Sequence, residues 1–143
     1  MLKRLLLLKA VPTRADAGLL VLRLLVGTTL FFHHGLEKIT HFTMMAKFFP
    51  NPLHIGALPS LLFAVLSDAV CSVLLVLGLA TRWAALVVAV NVFVAWAFVH
   101  HFPYFGRMGG IGELIVLYLG ATIALLLAGP GKYSIDAALG KGK

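Results

Sequence analysis

The amino-acid sequence predicts an all-α protein, a four-helix transmembrane bundle that forms one domain over residues 1–143. Hydrophobic residues make up 61% of its 143 residues, against about 45–50% in an ordinary soluble domain. Four apolar stretches are each about 20 residues long, which is the length that crosses a bilayer. Because these stretches do not alternate apolar with polar residues, we expect helices, which satisfy their own backbone hydrogen bonds in lipid.

The predicted spans follow one another with turn signals between them. The basic, leucine-rich start MLKRLLLLKAVP is expected to form a short amphipathic segment at the membrane surface rather than a cleaved signal peptide. The spans cover about 15–36, 57–79, 82–102 and 110–128 of the printed sequence. Gly129-Pro130-Gly131 ends the fourth span, as glycine and proline do just beyond a helix.

Basic residues predict the orientation of the bundle, because cytoplasmic flanks of membrane helices are enriched in lysine and arginine. The net charge is +7, and the basic residues at the ends of the spans and beyond them are divided unequally between the two sides. Eight lie on the side of the termini and three on the other: Lys3, Arg4, Lys9, Arg14, Arg82, Lys132, Lys141 and Lys143 against Lys38, Lys47 and Arg107. The sequence therefore predicts a membrane protein with both termini in the cytoplasm. It has no nucleic-acid recognition motif, so we expect the lipid bilayer, not nucleic acid, to be the partner of this charge.

Asp68 is the only charged residue of the second span. An aspartate at a helix centre costs about 2.5–3.5 kcal/mol on insertion, so it needs a partner and marks a candidate site. With a rise of about 1.5 Å per residue, Arg23, Asp68 and Asn91 lie about 12, 16 and 13 Å from the same membrane surface. We therefore expect a buried Arg23–Asp68 ion pair to which Asn91 contributes hydrogen bonds. The layer either fixes the register of the helices or binds a proton, a quinone headgroup or another small ligand.

A second polar group is predicted at the outer ends of the spans. Helical periodicity places Arg23, Gly27, His34 and Glu37 on one stripe of the first span, and Lys38 follows at the same end. In the fourth span Glu113 shares a stripe with Gly120 and Ala124, whose small side chains favour close packing. We therefore expect Glu113 to face the bundle beside His34, Glu37 and Lys38.

The remaining candidates are histidines and one cysteine. His33, His34, His100 and His101 lie at span ends and could ligate a metal or haem, but their helical phases differ, and we expect interfacial histidines with no metal or haem. Cys71 is expected to be a small buried residue. The loop 40–58 is long enough to cap the outer end, and a role as a lid over a ligand stays open.

In this order and spacing the residues resemble the DoxX family of small four-span bacterial membrane proteins. The resemblance runs from about residue 14 to residue 139. It rests on Arg23 and Gly27, His34-Gly35 and Lys38, the acid in the second span, Leu77-Gly78-Leu79 with Arg82, Gly112-Glu113, and Gly129-Pro130-Gly131-Lys132-Tyr133-Ser134-Ile135-Asp136. The acid of the second span is usually glutamate in that family and is aspartate here.

The resemblance implies a multi-pass protein of the bacterial inner membrane that is a membrane subunit or anchor of a redox system. Such a subunit would either anchor a soluble or membrane redox partner or hold a quinone near Arg23, Asp68 and Glu113; the resemblance does not identify the cofactor. Two alternatives remain: a carrier of protons or a small solute that uses the polar layer, and an assembly factor without a ligand. A homo-oligomer is compatible with each of them. No nucleophile–base pair, nucleotide-binding loop or zinc-protease motif is present in the chain, so we do not expect an enzyme acting alone.

Overall fold

The structure is a computed structural model that describes residues 14–102 and 111–140. Within these two stretches the chain forms helices joined by turns, and no strand is present. We label the helices α1 (Ala15–Thr40), α2 (Phe42–Phe48), α3 (Ala57–Leu77), α4 (Thr81–Val99), α5 (Ile111–Ala128) and α6 (Ile135–Gly140). The predicted all-α class is confirmed.

Helices α1, α3, α4 and α5 form the bundle. Helix α3 packs between α1 and α4, and α5 closes the ring by packing against α4 and α1. Small and medium side chains fill the interior, including Leu75, Ala85, Val88 and Leu125. Larger apolar side chains such as Leu117 and Leu127 point outward and are exposed. An apolar exterior of this kind requires lipid, which fits a membrane-spanning bundle.

The predicted spans agree with the helices to within a few residues. Helices α1, α3 and α4 are long and apolar enough to cross a membrane, and α5 adds an apolar helix of 18 residues. The loop predicted at 40–58 contains a further helix, α2, which packs against the first half of α3. The predicted amphipathic segment before the first span lies outside the described residues.

Each of the three longest helices contains one wider, π-helical turn. These turns are Phe31–Gly35 in α1, Leu66–Cys71 in α3 and Ala95–Val99 in α4. A π turn interrupts the regular hydrogen-bond ladder of an α-helix and occurs often at functional sites. The first two turns pack against each other across the α1–α3 interface, and the second contains Asp68.

Two glycines set the distance and register between α1 and α3. A Cβ at Gly27 would lie 2.6 Å from the Ser72 carbonyl oxygen, and a Cβ at Gly35 would overlap the Asp68 carbonyl group. Because neither glycine carries a Cβ, the backbones of α1 and α3 approach each other closely, as small residues allow in membrane helices. The glycines therefore fix which residues face one another: Gly35 opposite Asp68, and Gly27 opposite Ser72.

The chain folds back over the end of the bundle at which α3 ends. We call residues 129–140 the cap segment. Its Gly131 packs on Leu19 and Asp16 of α1, and the Lys132 amide donates to the Asp16 carboxylate (3.0 Å). The Asp136 amide donates to the Gly78 carbonyl in the α3–α4 turn (2.9 Å). The first turns of α1 thus extend beyond the end of α3 and are covered by the cap segment.

Candidate functional site

Asp68 lies in the middle of α3, about 16 Å along the helix from Ala57. The close approach of Gly35 brings α1 against this turn, and the side chain of Asp68 is 7% exposed. One carboxylate oxygen, Oδ1, accepts hydrogen bonds from the Ser67 hydroxyl (2.9 Å) and the Asn91 amide of α4 (3.0 Å). The other, Oδ2, is 2.9 Å from the Lys38 ammonium. We call Lys38, Ser67, Asp68 and Asn91 the polar cluster.

Lys38 reaches Asp68 by extending its side chain back along α1. Its ammonium also donates to the carbonyl oxygen of His34, one turn earlier (3.2 Å). The side chain of Lys38 is 13% exposed, so both members of the pair are largely buried. In such surroundings a charge needs both an opposite charge and hydrogen bonds to be tolerated. The polar cluster meets this requirement with groups from three helices.

The expectation that Arg23 is the partner of Asp68 is wrong. Arg23 donates to the carbonyl oxygens of Leu75 and Tyr133, and the Gly78 Cα lies beside its guanidinium. The depth estimate took the start of α1 and the end of α3 as level, whereas α1 begins about two turns further out. Arg23 therefore lies at the end of α3, about 10 Å along that helix from Asp68.

Arg23 instead belongs to a separate group of polar residues around the cap segment. It is fully buried, because the α3–α4 turn and the cap segment enclose it. Nearby, the Asp136 carboxylate accepts hydrogen bonds from the amides of Ala80 (2.8 Å) and Thr81 (2.9 Å) at the start of α4. Partial burial opposes the charge on Asp136, but the amide hydrogen bonds from Thr81 and Ala80 and the charge of Arg23 together lower its pKa.

Two further side chains border the polar cluster. His34 is half-buried and meets the buried ring of Tyr118 edge to face, with 6.2 Å between the ring centres. Sequence reasoning missed Tyr118 and Ser67. Ser67 precedes the predicted acid directly, which is a usable signal. Tyr118 had no signal because an aromatic residue in an apolar helix is normally a packing residue.

The polar group predicted at the outer ends of the spans, formed by His34, Glu37, Lys38 and Glu113, is only partly assembled. Lys38 and His34 lie together, but Glu37 is exposed. Glu113 is also exposed, so the expectation that it faces the bundle is wrong, and Gly120 and Ala124 of the same stripe are exposed with it. The buried face of α5 is instead formed by Tyr118, Thr122 and Leu125. In a helix that is apolar all round, periodicity does not indicate which face is buried.

The other candidates take no part in the polar cluster. His33 and His101 are exposed, and His100 is half-buried. Among the residues that the structure describes, no group of three His, Cys, Asp or Glu side chains could hold a metal ion. Cys71 is buried, as predicted.

The polar cluster has a donor set that suits the oxygen atoms of a small ligand. Lysine carries three N–H donors, and two of those of Lys38 have partners among the described residues, Asp68 and His34. The Asn91 amide has two N–H donors, of which one is directed at Asp68. The Lys38 ammonium and the Asn91 amide therefore each keep one N–H donor without a partner among the described residues. The carboxylate of Asp68 can accept a proton.

Comparison with known proteins gives two matches. A model of the DoxX family matches residues 18–101, more than half of the chain. The chain is also similar to an uncharacterized protein of Haemophilus influenzae, with 29% identity over 131 residues that cover 89% of this chain and 86% of the relative. No solved structure matches the chain. The family match contains the whole of the polar cluster.

Proposed function

Because the chain belongs to the DoxX family, we propose that it is a membrane subunit of a redox system, in which the polar cluster binds the headgroup of a quinone. The observation that carries this proposal is the Lys38–Asp68 pair, which is buried between apolar helices and joined by Asn91. The family resemblance, through membrane subunits of quinone-linked oxidoreductases, supports the same proposal.

Each member of the polar cluster has a defined part in this proposal. Lys38 would donate a hydrogen bond to a carbonyl oxygen of the headgroup, and the second N–H of the Asn91 amide would orient it. Asp68, held by Ser67 and Asn91, gives or takes the proton at that oxygen. A quinone held here would take up two electrons, supplied by a partner oxidoreductase, and two protons. Asp68 would pass on the proton at the oxygen that Lys38 holds, and the proton at the other oxygen would come from solvent.

We also place both termini in the cytoplasm and the bundle in the inner membrane of a bacterium. The distribution of basic residues supports this orientation. It puts the cap segment on the cytoplasmic side, where Lys132 and Arg82 are exposed and can contact anionic lipid headgroups. A membrane-impermeant thiol reagent that modifies a cysteine at position 132 in intact cells would contradict it.

A titration of the purified full-length protein with a short-chain benzoquinone tests the proposal. Binding is detected as quenching of the protein's tryptophan fluorescence. Lys38→Met removes a charge-assisted hydrogen bond worth about 1.5–3 kcal/mol, which is a loss of affinity of about tenfold or more. Lys132→Gln is the matched control. Lys132 pairs with Asp16 on the exposed surface, and it lies far along the chain from the polar cluster. It should bind as the unmodified protein does.

Lys38→Arg keeps the positive charge and should therefore weaken binding less than Lys38→Met does. This comparison separates loss of the hydrogen bond from loss of binding caused by misfolding. If the unmodified protein does not bind the benzoquinone, or if Lys38→Met binds it as well as the control does, the quinone site is excluded. A partner oxidoreductase that co-purifies from gently solubilised membranes would support the wider redox assignment.

A second candidate function is a proton or small-solute carrier. It is favoured by one observation, the position of an ionisable carboxylate at the middle of a spanning helix, within a π turn. Vesicles that contain only this protein would then dissipate a proton gradient, and Asp68→Asn would abolish the leak. An intact gradient together with no quinone binding would leave the assembly factor as the remaining interpretation.

A further inference from the structure

Helix α2 has two different apolar faces. Phe42 and Met45, about one turn apart, are half-buried, and this side packs against the neighbouring helices. Met44 and Phe48 are one turn apart and therefore point in a common direction. They are 60% and 84% exposed. Two large apolar side chains in the open on so short a helix form an exposed apolar patch, which marks a surface of interaction.

The exposed face continues the lipid-facing surface of the bundle. Leu36 and Ile39, at the end of α1, and Leu58 and Leu62, at the start of α3, are also exposed. Helix α2 contacts both of these helix ends, so its apolar face extends a surface that already requires lipid. Lys47, beside Met44 on α2, is exposed and has a charge suited to anionic headgroups.

From this continuity we propose that the outer face of α2, formed by Met44 and Phe48, inserts into the interfacial layer of the bilayer. The partner is the lipid itself, with acyl chains against Met44 and Phe48 and headgroups against Lys47. Because α2 follows α1 directly at His41, this contact ties the end of α1 that carries Lys38 to the membrane surface. The proposal does not depend on a quinone or on any ligand of the polar cluster.

A spin label on cysteine at position 48 tests the proposal in full-length protein reconstituted into vesicles of phosphatidylcholine and phosphatidylglycerol. Cys71 is replaced by alanine so that one thiol remains. The measured quantities are the accessibilities of the label to oxygen, which concentrates in lipid, and to a water-soluble nickel chelate. We expect the ratio of oxygen to nickel accessibility to be several-fold higher at position 48 than at position 47.

Position 47 is the matched control, because it adjoins position 48 on the same helix and is also exposed. Position 44 provides a second label with the same expected result as position 48, in case Phe48→Cys does not fold. A label at 48 that is as accessible to nickel as the label at 47 would show that this face lies in water and would overturn the proposal. A label shielded from both reagents would show that protein, a second copy or another partner, covers the face, and would overturn it equally.

Discussion

Lys38 and Asp68 place opposite charges where bulk water does not reach. Removing one partner of such a pair leaves an uncompensated buried charge, which typically costs about 3–5 kcal/mol. We therefore expect Lys38→Met to lower the free energy of unfolding by about that amount, measured by denaturant titration in detergent micelles. The double variant Lys38→Met/Asp68→Leu removes both charges and should recover most of the loss.

The exposed Lys132–Asp16 pair gives the comparison for this residue-level effect. Its side chains are 79% and 35% exposed, and pairs of this kind contribute about 0–1 kcal/mol. Lys132→Gln should therefore change stability little. If Lys38→Met costs no more than Lys132→Gln, the buried pair contributes nothing particular to the fold.

Sequence reasoning named both residues as candidates but did not pair them, because it assigned Asp68 to Arg23 and Lys38 to the polar group at the outer ends of the spans. Asp68 stands out because a lone carboxylate in an apolar stretch is costly, whatever the fold. Lys38 lies at the edge of its span, where a lysine normally reaches the membrane surface, so its position did not indicate a contact with a residue in the middle of α3. The pairing depends on the register of α1 against α3, and depth counted from span ends is too coarse to determine that register.

At the level of the helices, the contact between α1 and α3 depends on the absence of a side chain at Gly35. A Cβ there would overlap the Asp68 carbonyl group, and backbone cannot move aside as a flexible side chain can. Gly35→Ala should therefore separate the helices, lower the unfolding temperature and weaken the Lys38–Asp68 contact. Thermal unfolding in detergent micelles measures the effect.

Gly18 is the matched control on the same helix, because nothing lies within 4 Å of a Cβ added there. Alanine is favoured over glycine in a helix by about 1 kcal/mol, so Gly18→Ala should leave stability unchanged or raise it. Equal effects of the two substitutions would mean that the interface at Gly35 is not tightly packed.

The helices themselves were predictable because length and continuous hydrophobicity determine a spanning helix. The orientation of each helix about its axis was predictable only where polar residues marked a face. Gly27 on α1 packs inward as its stripe predicted, since Arg23 shares that stripe and is buried. On α5 the stripe of Glu113 is exposed, because Tyr118 and Leu125 determine the buried face and every face is apolar.

On the scale of the whole molecule, the cap segment joins parts of the chain that are far apart in sequence. It contacts α1 through Asp16 and Arg23, and the α3–α4 turn through Gly78 and Thr81. Such contacts have no local signature, so the sequence indicated this ending only through its resemblance to a family pattern. The buried Arg23 follows from the same long-range arrangement, and counting depth along one span could not predict it.

Asp136 is the residue through which this arrangement depends on pH. Its carboxylate satisfies two free amides at the start of α4, and its pKa is lowered in the folded protein by those hydrogen bonds and by Arg23, against the opposing effect of burial. A group with a depressed folded pKa stabilises the protein fully above its unfolded pKa, about 3.9 for aspartate. That contribution is lost as the pH falls through the folded pKa.

Asp136→Asn should therefore lower the free energy of unfolding at neutral pH, by about 0.5–2 kcal/mol as for loss of a helix cap. The difference between the unmodified protein and the variant should shrink as the pH falls below about 4, because protonation removes the same charge from the unmodified protein. Denaturant titrations of both proteins between neutral and acid pH measure this difference directly, and subtraction cancels the titration of the other carboxylates.

Glu37→Gln, which removes an exposed carboxylate, should show no such convergence. A constant difference across the whole pH range would mean that the Asp136 carboxylate does not hold the cap segment to α4 through its charge.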